Sequence, residues 1–152
     1  MDESLVERAL AYVKGELLFT KTNLQHAIDI AEQKAQSINV PVTICISDQA
    51  GNPRILYRME KANLVSLTLA PKKANSALLM RKPTKDLNQD TVPGGELYQM
   101  ETMLDGQLVT FAGGIPLVID DVIIGAIGVS GGLVSEDQLI CETAVNAFLA
   151  GC

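Results

Sequence analysis

His26 is the only histidine in the 152-residue chain, so a metal or catalytic site built from two histidines is excluded within one chain. On a helical wheel, the imidazole lies opposite an apolar stripe that contains Leu24 and Ala27. Two interpretations stay open. His26 is either a plain solvent-exposed side chain or an axial ligand to a haem iron, which needs one neutral imidazole.

Glycines are concentrated in the C-terminal third, where Gly113-Gly114 is followed by four more glycines between Gly125 and Gly132. Glycine in a strand allows a helix, a ligand or a second subunit to approach the backbone closely. The Ser130-Gly131-Gly132 step also places backbone amides just before the last predicted helix, where an anion meets free N–H groups and a favourable helix dipole. The pattern therefore indicates either tight packing or the wall of an anion-binding pocket.

Two basic residues, Arg58 and Lys73, have no simple role as charge compensation at a helix C-terminus, unlike Arg81 and Lys82. If they converge on the Ser130–Gly132 amides, they form a site for a carboxylate such as a propionate. We therefore predict no catalytic residue and a cofactor-binding set of His26, Arg58, Lys73, Gly113, Gly114, Ser130, Gly131 and Gly132, with His26 as the ligand to haem iron.

Several familiar motifs do not fit the chain. The glycines after Gly125 lack G-x-G-x-x-G spacing, and no lysine follows them as in a P-loop. Gly128-Val129-Ser130-Gly131-Gly132 superficially resembles a G-x-S-x-G nucleophile elbow, but the only histidine of the chain lies far upstream on a predicted helix. Cys45, Cys141 and Cys152 form no C-x-x-C pair and are expected to be free thiols. These patterns disfavour nucleotide binding by those motifs and serine-hydrolase chemistry.

Hydrophobic periodicity predicts the elements that must position these residues. Amphipathic helices are expected over 4–18 and 22–38, a hairpin over 40–46 and 54–59, and a helix from Ala70 with Pro71 in its first turn. A long polar loop over 81–95 precedes strands at 108–112, 117–119 and 122–129, and a last helix begins at Ser135. Short turns between strands predict an antiparallel sheet that is covered by helices, in the α/β (α+β) class.

Composition and charge set the broad class of protein. A hydrophobic content of 47% suits one domain, which we predict over 1–152, with residues 1–20 as an additional N-terminal helix. A net charge of −6 disfavours nucleic acid and anionic membranes as partners. The acidic start and the lack of a long apolar run predict no signal peptide, no membrane span and a cytoplasmic location.

A set of short motifs, in order along residues 22 to 150, resembles the GlcG/HbpS/PduO-C-terminal family, here as a stand-alone, OrfY-like member. The motifs are Ser47-Asp48-x-x-Gly51, Arg58-Met59-x-x-Ala62, Ala70-x-x-Lys73-Ala74-x-Ser76-Ala77, Gly113-Gly114-x-Pro116-Leu117, and Gly125-Ala126-Ile127-Gly128-Val129-Ser130-Gly131-Gly132 followed by Glu136-Asp137. Each motif is weak by itself, and together they are specific.

The resemblance implies a profilin-like fold, in which a five-stranded antiparallel sheet lies between helices in three α/β/α layers. It also implies a homo-oligomer, haem as cofactor with cobalamin as the alternative, and His26 as the candidate axial ligand. The leading hypothesis is a non-enzymatic protein that binds or senses a tetrapyrrole. The alternatives are an accessory protein of a cobalamin-dependent diol or glycerol dehydratase, which binds corrinoid or a partner enzyme, and a small enzyme that uses Lys73, Arg58 and Asp48 on acidic metabolites.

Overall fold

Helices flank a four-stranded sheet within residues 2–151, the part of the chain that the computed structural model describes. The predicted free thiol of Cys152 lies outside this part. The helices are α1 (Glu3–Leu18), α2 (Lys21–Ser37), α3 (Ser66–Met80), α4 (Asn88–Thr91), α5 (Met100–Met103) and α6 (Val134–Leu149). The strands are β1 (Thr43–Asp48), β2 (Pro53–Arg58), β3 (Gly114–Ile119) and β4 (Val122–Ser130), and a 3₁₀ turn spans Thr84–Leu87.

The three longest amphipathic segments form helices that each begin one residue before the predicted start. The Thr20 side chain accepts a hydrogen bond from the Asn23 amide at 3.1 Å and thereby caps α2. The Glu136 carboxylate accepts one from the Leu133 amide at 2.7 Å at the start of α6. The predicted cap of α6 was Ser135, but the capping carboxylate reaches back two residues further.

The sheet is entirely antiparallel, with strand order β2-β1-β4-β3. The predicted strands 117–119 and 122–129 leave Asp120-Asp121 as a two-residue turn between them, and the structure confirms this turn. Both residues take positive φ values, 47° and 63°, as a tight hairpin between β3 and β4 requires.

Helices cover both faces of this sheet. Ile44 and Ile46 of β1 pack with Ile28 of α2 and with α6 in the main core. Thr43 points to the other face, where its hydroxyl shares a 2.6 Å hydrogen bond with Ser66 of α3. The predicted antiparallel α+β architecture in three α/β/α layers is therefore confirmed.

Two predictions about individual elements were wrong. Residues 108–112 do not form the predicted fifth strand, since the Val109 amide donates to the Ser76 hydroxyl at 2.8 Å instead of to a strand. Helix α3 begins at Ser66 and not at Ala70, so Pro71 lies inside the helix. The Asn63 side chain accepts a hydrogen bond from the Ser66 amide at 2.9 Å, at the first residue of the helix and five residues before the proline.

Gly128 explains how closely α3 approaches the sheet. A Cβ atom at this position would overlap the carbonyl oxygen of Ala70, so only glycine lets the helix backbone rest on β4. The strand glycines indicate either tight packing or the wall of an anion-binding pocket. At Gly128 the structure shows tight packing, because α3 lies directly against it.

Candidate functional site

Lys73 is the most unusual side chain of the described region, because its ammonium group is fully buried. It lies on α3 and points past the end of β4. Its Nζ donates to a carboxylate oxygen of Asp137 at 2.8 Å and to the carbonyl oxygen of Val129 at 2.9 Å. The Phe111 ring lies 5.1 Å from the same Nζ and covers it. The charge is thereby neutralised and shielded from solvent.

Asp137 completes the pair from the first turn of α6, where a helix dipole favours a carboxylate. Its other oxygen accepts a hydrogen bond from the Gly132 amide at 2.8 Å. Burial raises the pKa of the Asp137 carboxyl above its ordinary value, and the Lys73 ammonium and the Gly132 amide oppose that rise. The pair therefore joins α3, the end of β4 and the start of α6.

Lys73 leaves no room for a Cβ atom at positions 113 and 114, so both positions require glycine. Gly113 has φ of 119°, and a Cβ there would lie 2.8 Å from the Lys73 Nζ. A Cβ at Gly114 would overlap the Lys73 carbonyl, and the Gly114 amide donates to the Thr84 hydroxyl at 2.9 Å. Both glycines therefore let β3 pass close to Lys73.

Most of the predicted anion-binding residues do converge, but around a carboxylate of the protein itself. Lys73, Gly113 and the Gly132 amide surround Asp137, and the neighbouring Ser130 is buried. A ligand carboxylate at these amides would have to displace Asp137. That these residues bind a cofactor stays a prediction.

Sequence reasoning placed Asp137 in a family motif and did not identify it as the partner of Lys73. The available signal was electrostatic. A lysine among the small residues of an apolar helix needs a buried carboxylate close by, and the Asp137 position in the first turn of the next predicted helix offers one.

Arg58 and Asp48 lie at opposite ends of the β1–β2 pair. The Arg58 guanidinium donates to the carbonyl of Ala62 at 2.9 Å and closes the loop after β2. Strand β1 begins beside Arg58 at Thr43 and ends at Asp48, roughly 16 Å further along at 3.3 Å per residue. A single active site made of Lys73, Arg58 and Asp48 is therefore wrong.

His26 lies on the exposed side of α2, on the sheet face opposite α3. It lines a shallow depression of about 410 Å³ together with Lys21, Thr22, Gln25 and Asp29. Gln25 and Asp29 bind each other at 2.8 Å, whereas no side-chain hydrogen bond within residues 2–151 involves His26. The imidazole nitrogens are therefore accessible from solvent, and the structure does not bring His26 together with Lys73.

The described residues contain neither a cluster of metal ligands nor a membrane-spanning helix. Residues 2–151 contain no group of three or more histidine, cysteine, aspartate or glutamate side chains arranged to hold a metal ion. Within the same range, no helix has the length and apolar character that crossing a bilayer requires.

Comparison with known proteins identifies the fold and the family. The solved structure of the PduOC:haem complex superposes with a TM-score of 0.81 at 41% identity, covering 84% of this chain and 93% of that one. The ORFY protein of Klebsiella pneumoniae superposes with a TM-score of 0.83 at 34% identity, covering 86% and 90%.

Sequence comparison gives the same relationship. The corrinoid adenosyltransferase PduO of Salmonella typhimurium is 43% identical over 121 residues, which are 80% of this chain and 36% of PduO. The chain thus spans about a third of the length of the PduO proteins it matches. The sequence profile described as "Haem degrading protein HbpS-like" matches residues 19–146, and the chain therefore belongs to this HbpS-like family.

Proposed function

We propose that this chain binds haem on the outer surface of α2, with the His26 imidazole as an axial ligand to the iron. The observation that carries the proposal is an exposed imidazole without a hydrogen-bond partner among residues 2–151, in a chain 41% identical to a protein solved as a haem complex. A neutral histidine nitrogen is a standard axial ligand of haem iron.

The residues around His26 fit part of a haem site. Lys21 offers an ammonium group for a propionate, and the imidazole offers the axial nitrogen. The four other residues that line the depression are polar, so the single chain presents no apolar cleft for the macrocycle there. The proposal is therefore a surface site that holds one face of haem and leaves the other open to small ligands such as cyanide or imidazole.

Haemin titration of the purified chain tests the proposal. We expect a saturable shift of the Soret band in the wild-type protein and its loss in His26→Ala. Gln33→Ala, an exposed residue further along the same helix, serves as the matched control. Added imidazole is expected to restore the wild-type spectrum to His26→Ala. A titration without saturation excludes haem, and an unchanged spectrum in His26→Ala excludes His26 as the ligand.

The stability of the Soret band after the titration separates haem binding from haem degradation. The family description names haem degradation, whereas Lys73, Arg58 and Asp48 do not form one site. Asp29 and Lys21 lie in the same depression as His26, but neither forms a hydrogen bond with its imidazole within residues 2–151. We therefore infer a binding or sensing role without catalysis. A stable Soret band in the presence of ascorbate and oxygen supports this inference, and progressive bleaching that depends on His26 contradicts it.

A corrinoid is the second candidate ligand, because a close relative is named a corrinoid adenosyltransferase. The matched region is only 36% of that protein, so the ligand of the whole protein is a weaker guide than the haem complex of the matched domain. Titration with hydroxocobalamin under the same conditions distinguishes the two. Saturable binding of the corrinoid and none of haemin would favour an accessory role in cobalamin metabolism.

A further inference from the structure

Helix α1 is apolar on two opposite sides. Its inner side packs on the sheet through Ala11, Gly15 and Leu18, which are buried, and Gly15 fits directly against Ile124 of β4. The helix lies outside the region matched by the family profile, which begins at residue 19.

The outer side of α1 carries a continuous apolar stripe in water. Exposed fractions are 39% for Val6, 55% for Leu10, 54% for Val13 and 71% for Leu17. Val6, Leu10, Val13 and Leu17 follow the alternating four- and three-residue steps of a helix-pairing seam. At 1.5 Å per residue, α1 is about 24 Å long, and the stripe from Val6 to Leu17 covers about 17 Å of it. A helix that is apolar on both sides is expected to be buried on both sides.

We propose that the outer face of α1 pairs with the same face of a second copy of this chain, in an antiparallel two-fold arrangement. A self-complementary patch of this kind is what a two-fold interface requires. The pairing places Leu10 of each chain against Val13 of the second copy, and Val6 against Leu17.

The charges along the seam favour a second copy in this direction. In an antiparallel pair, Glu7 of each helix lies beside Lys14 of the other, which gives two attractive contacts. A parallel pair would instead bring Glu3 against Glu3 in the same layer of the seam. Lys14 is available for the contact, because its ion pair with Asp120 is 3.2 Å long but more than half exposed on both sides.

Sedimentation of the full chain at micromolar concentration tests the interface. We expect the wild-type particle to have twice the mass of Leu10→Glu/Val13→Glu at the same concentration. Both positions point outward, so circular dichroism is expected to show an intact fold in the variant. Gln33→Glu/Gln36→Glu changes the net charge equally on exposed positions of α2 and is expected to keep the wild-type mass. Equal masses for wild type and the α1 variant would overturn the proposal.

A charge exchange tests the direction of the pair. Glu7→Lys and Lys14→Glu each create two like-charge contacts and are expected to weaken association about threefold or more. The double exchange Glu7→Lys/Lys14→Glu restores opposite charges and is expected to return the dissociation constant close to the wild-type value. A double variant that associates no better than the single variants would overturn the antiparallel arrangement, and it would point to a parallel pair or to another protein on this face.

Discussion

At the level of single residues, the ammonium group of Lys73 is fully buried and therefore needs the acceptors that surround it. The ammonium has three hydrogens, and Asp137 and Val129 accept two of them within 2.9 Å. Removing either charge leaves the other in a site without water. The energetic penalty of an unpaired buried charge is larger than the net gain from forming the pair.

Lys73→Met is therefore expected to lower the free energy of unfolding by about 3–5 kcal/mol, because Asp137 is left buried and uncompensated. Urea denaturation measures the change. Lys72→Met, next in sequence and bound only to the exposed carbonyl of Gly106, is the matched control and is expected to stay close to wild type. The double variant Lys73→Met/Asp137→Leu is expected to be more stable than Lys73→Met. A fully stable Lys73→Met would contradict a structural role for the pair.

The two cysteines of the described region, Cys45 and Cys141, are also buried. Here burial is expected to make the thiols unreactive. Cys141 lies against the sheet with its Sγ 3.3 Å from the Ile127 carbonyl, and Cys45 lies on the α3 face of β1. Burial raises the pKa of both thiols above the ordinary value. Both are expected to be protonated and inaccessible at neutral pH.

Pulsed alkylation with N-ethylmaleimide followed by peptide mass spectrometry checks this expectation. At pH 8 we expect Cys45 and Cys141 to react on the order of a hundredfold slower in the folded chain than in urea, since both thiolate formation and access require opening of the fold. The urea sample is the internal control. Rapid labelling of either cysteine in the folded chain would show an opening that the packing around β1 and β4 does not predict.

At the level of elements, the contact between α3 and β4 determines where the buried pair lies. Gly128 allows the α3 backbone to approach, and Lys73 follows Ala70 by about one helical turn. The Lys73 side chain consequently reaches the end of β4 at Val129.

Gly128→Ala is expected to lower the free energy of unfolding by about 1–3 kcal/mol, because the added methyl group meets helix backbone, which yields less readily than a side chain. Thermal and urea unfolding measure the effect. Gly106→Ala is the control, since a Cβ there meets no atom within 4 Å and the cost is only the positive φ of 69°. If Gly128→Ala unfolded like wild type, α3 would have to rest on β4 less closely than the structure indicates.

The elements that the sequence predicts well are those whose signal is local. The α2 stripe and the Asp120-Asp121 turn depend on neighbours within a few positions, and both formed as expected. The prediction of a strand over residues 108–112 was wrong because the Val109 amide donates to Ser76. This long-range contact is not encoded in a local strand pattern. The predicted start of α3 was wrong because Pro71 lies inside the helix, whose first residue, Ser66, donates its amide to the Asn63 side chain.

The candidate site shows the same division between local and long-range information. The motifs suggest that Lys73 and Arg58 converge on the Ser130–Gly132 step. In the structure, Lys73 reaches Val129 at this end of β4, whereas Arg58 binds the Ala62 carbonyl. The motifs do not reveal that Asp137 occupies the centre, because pairing between α3 and α6 is decided by burial in three dimensions. The exposed orientation of His26, by contrast, followed from the helical wheel of α2 alone.

At the level of the whole molecule, the proposed haem surface and the proposed pairing surface belong to different helices. The depression at His26 is lined within residues 2–151 by the first turns of α2, Lys21 to Asp29. The pairing face comprises the outer side of α1, from Val6 to Leu17. The buried pair of Lys73 and Asp137 lies at the end of β4, between α3 and the start of α6. A change on one surface is therefore expected to leave the other intact.

Two variants measured in both assays test this independence. Leu10→Glu/Val13→Glu is expected to halve the particle mass and to keep the haemin dissociation constant within about twofold of wild type, since no α1 side chain lines the depression at His26. His26→Ala is expected to lose the Soret shift and to keep the wild-type mass. Joint loss of mass and of haem binding in the α1 variant would contradict independence, because it would mean that the second copy, docked through α1, covers the open face of the haem.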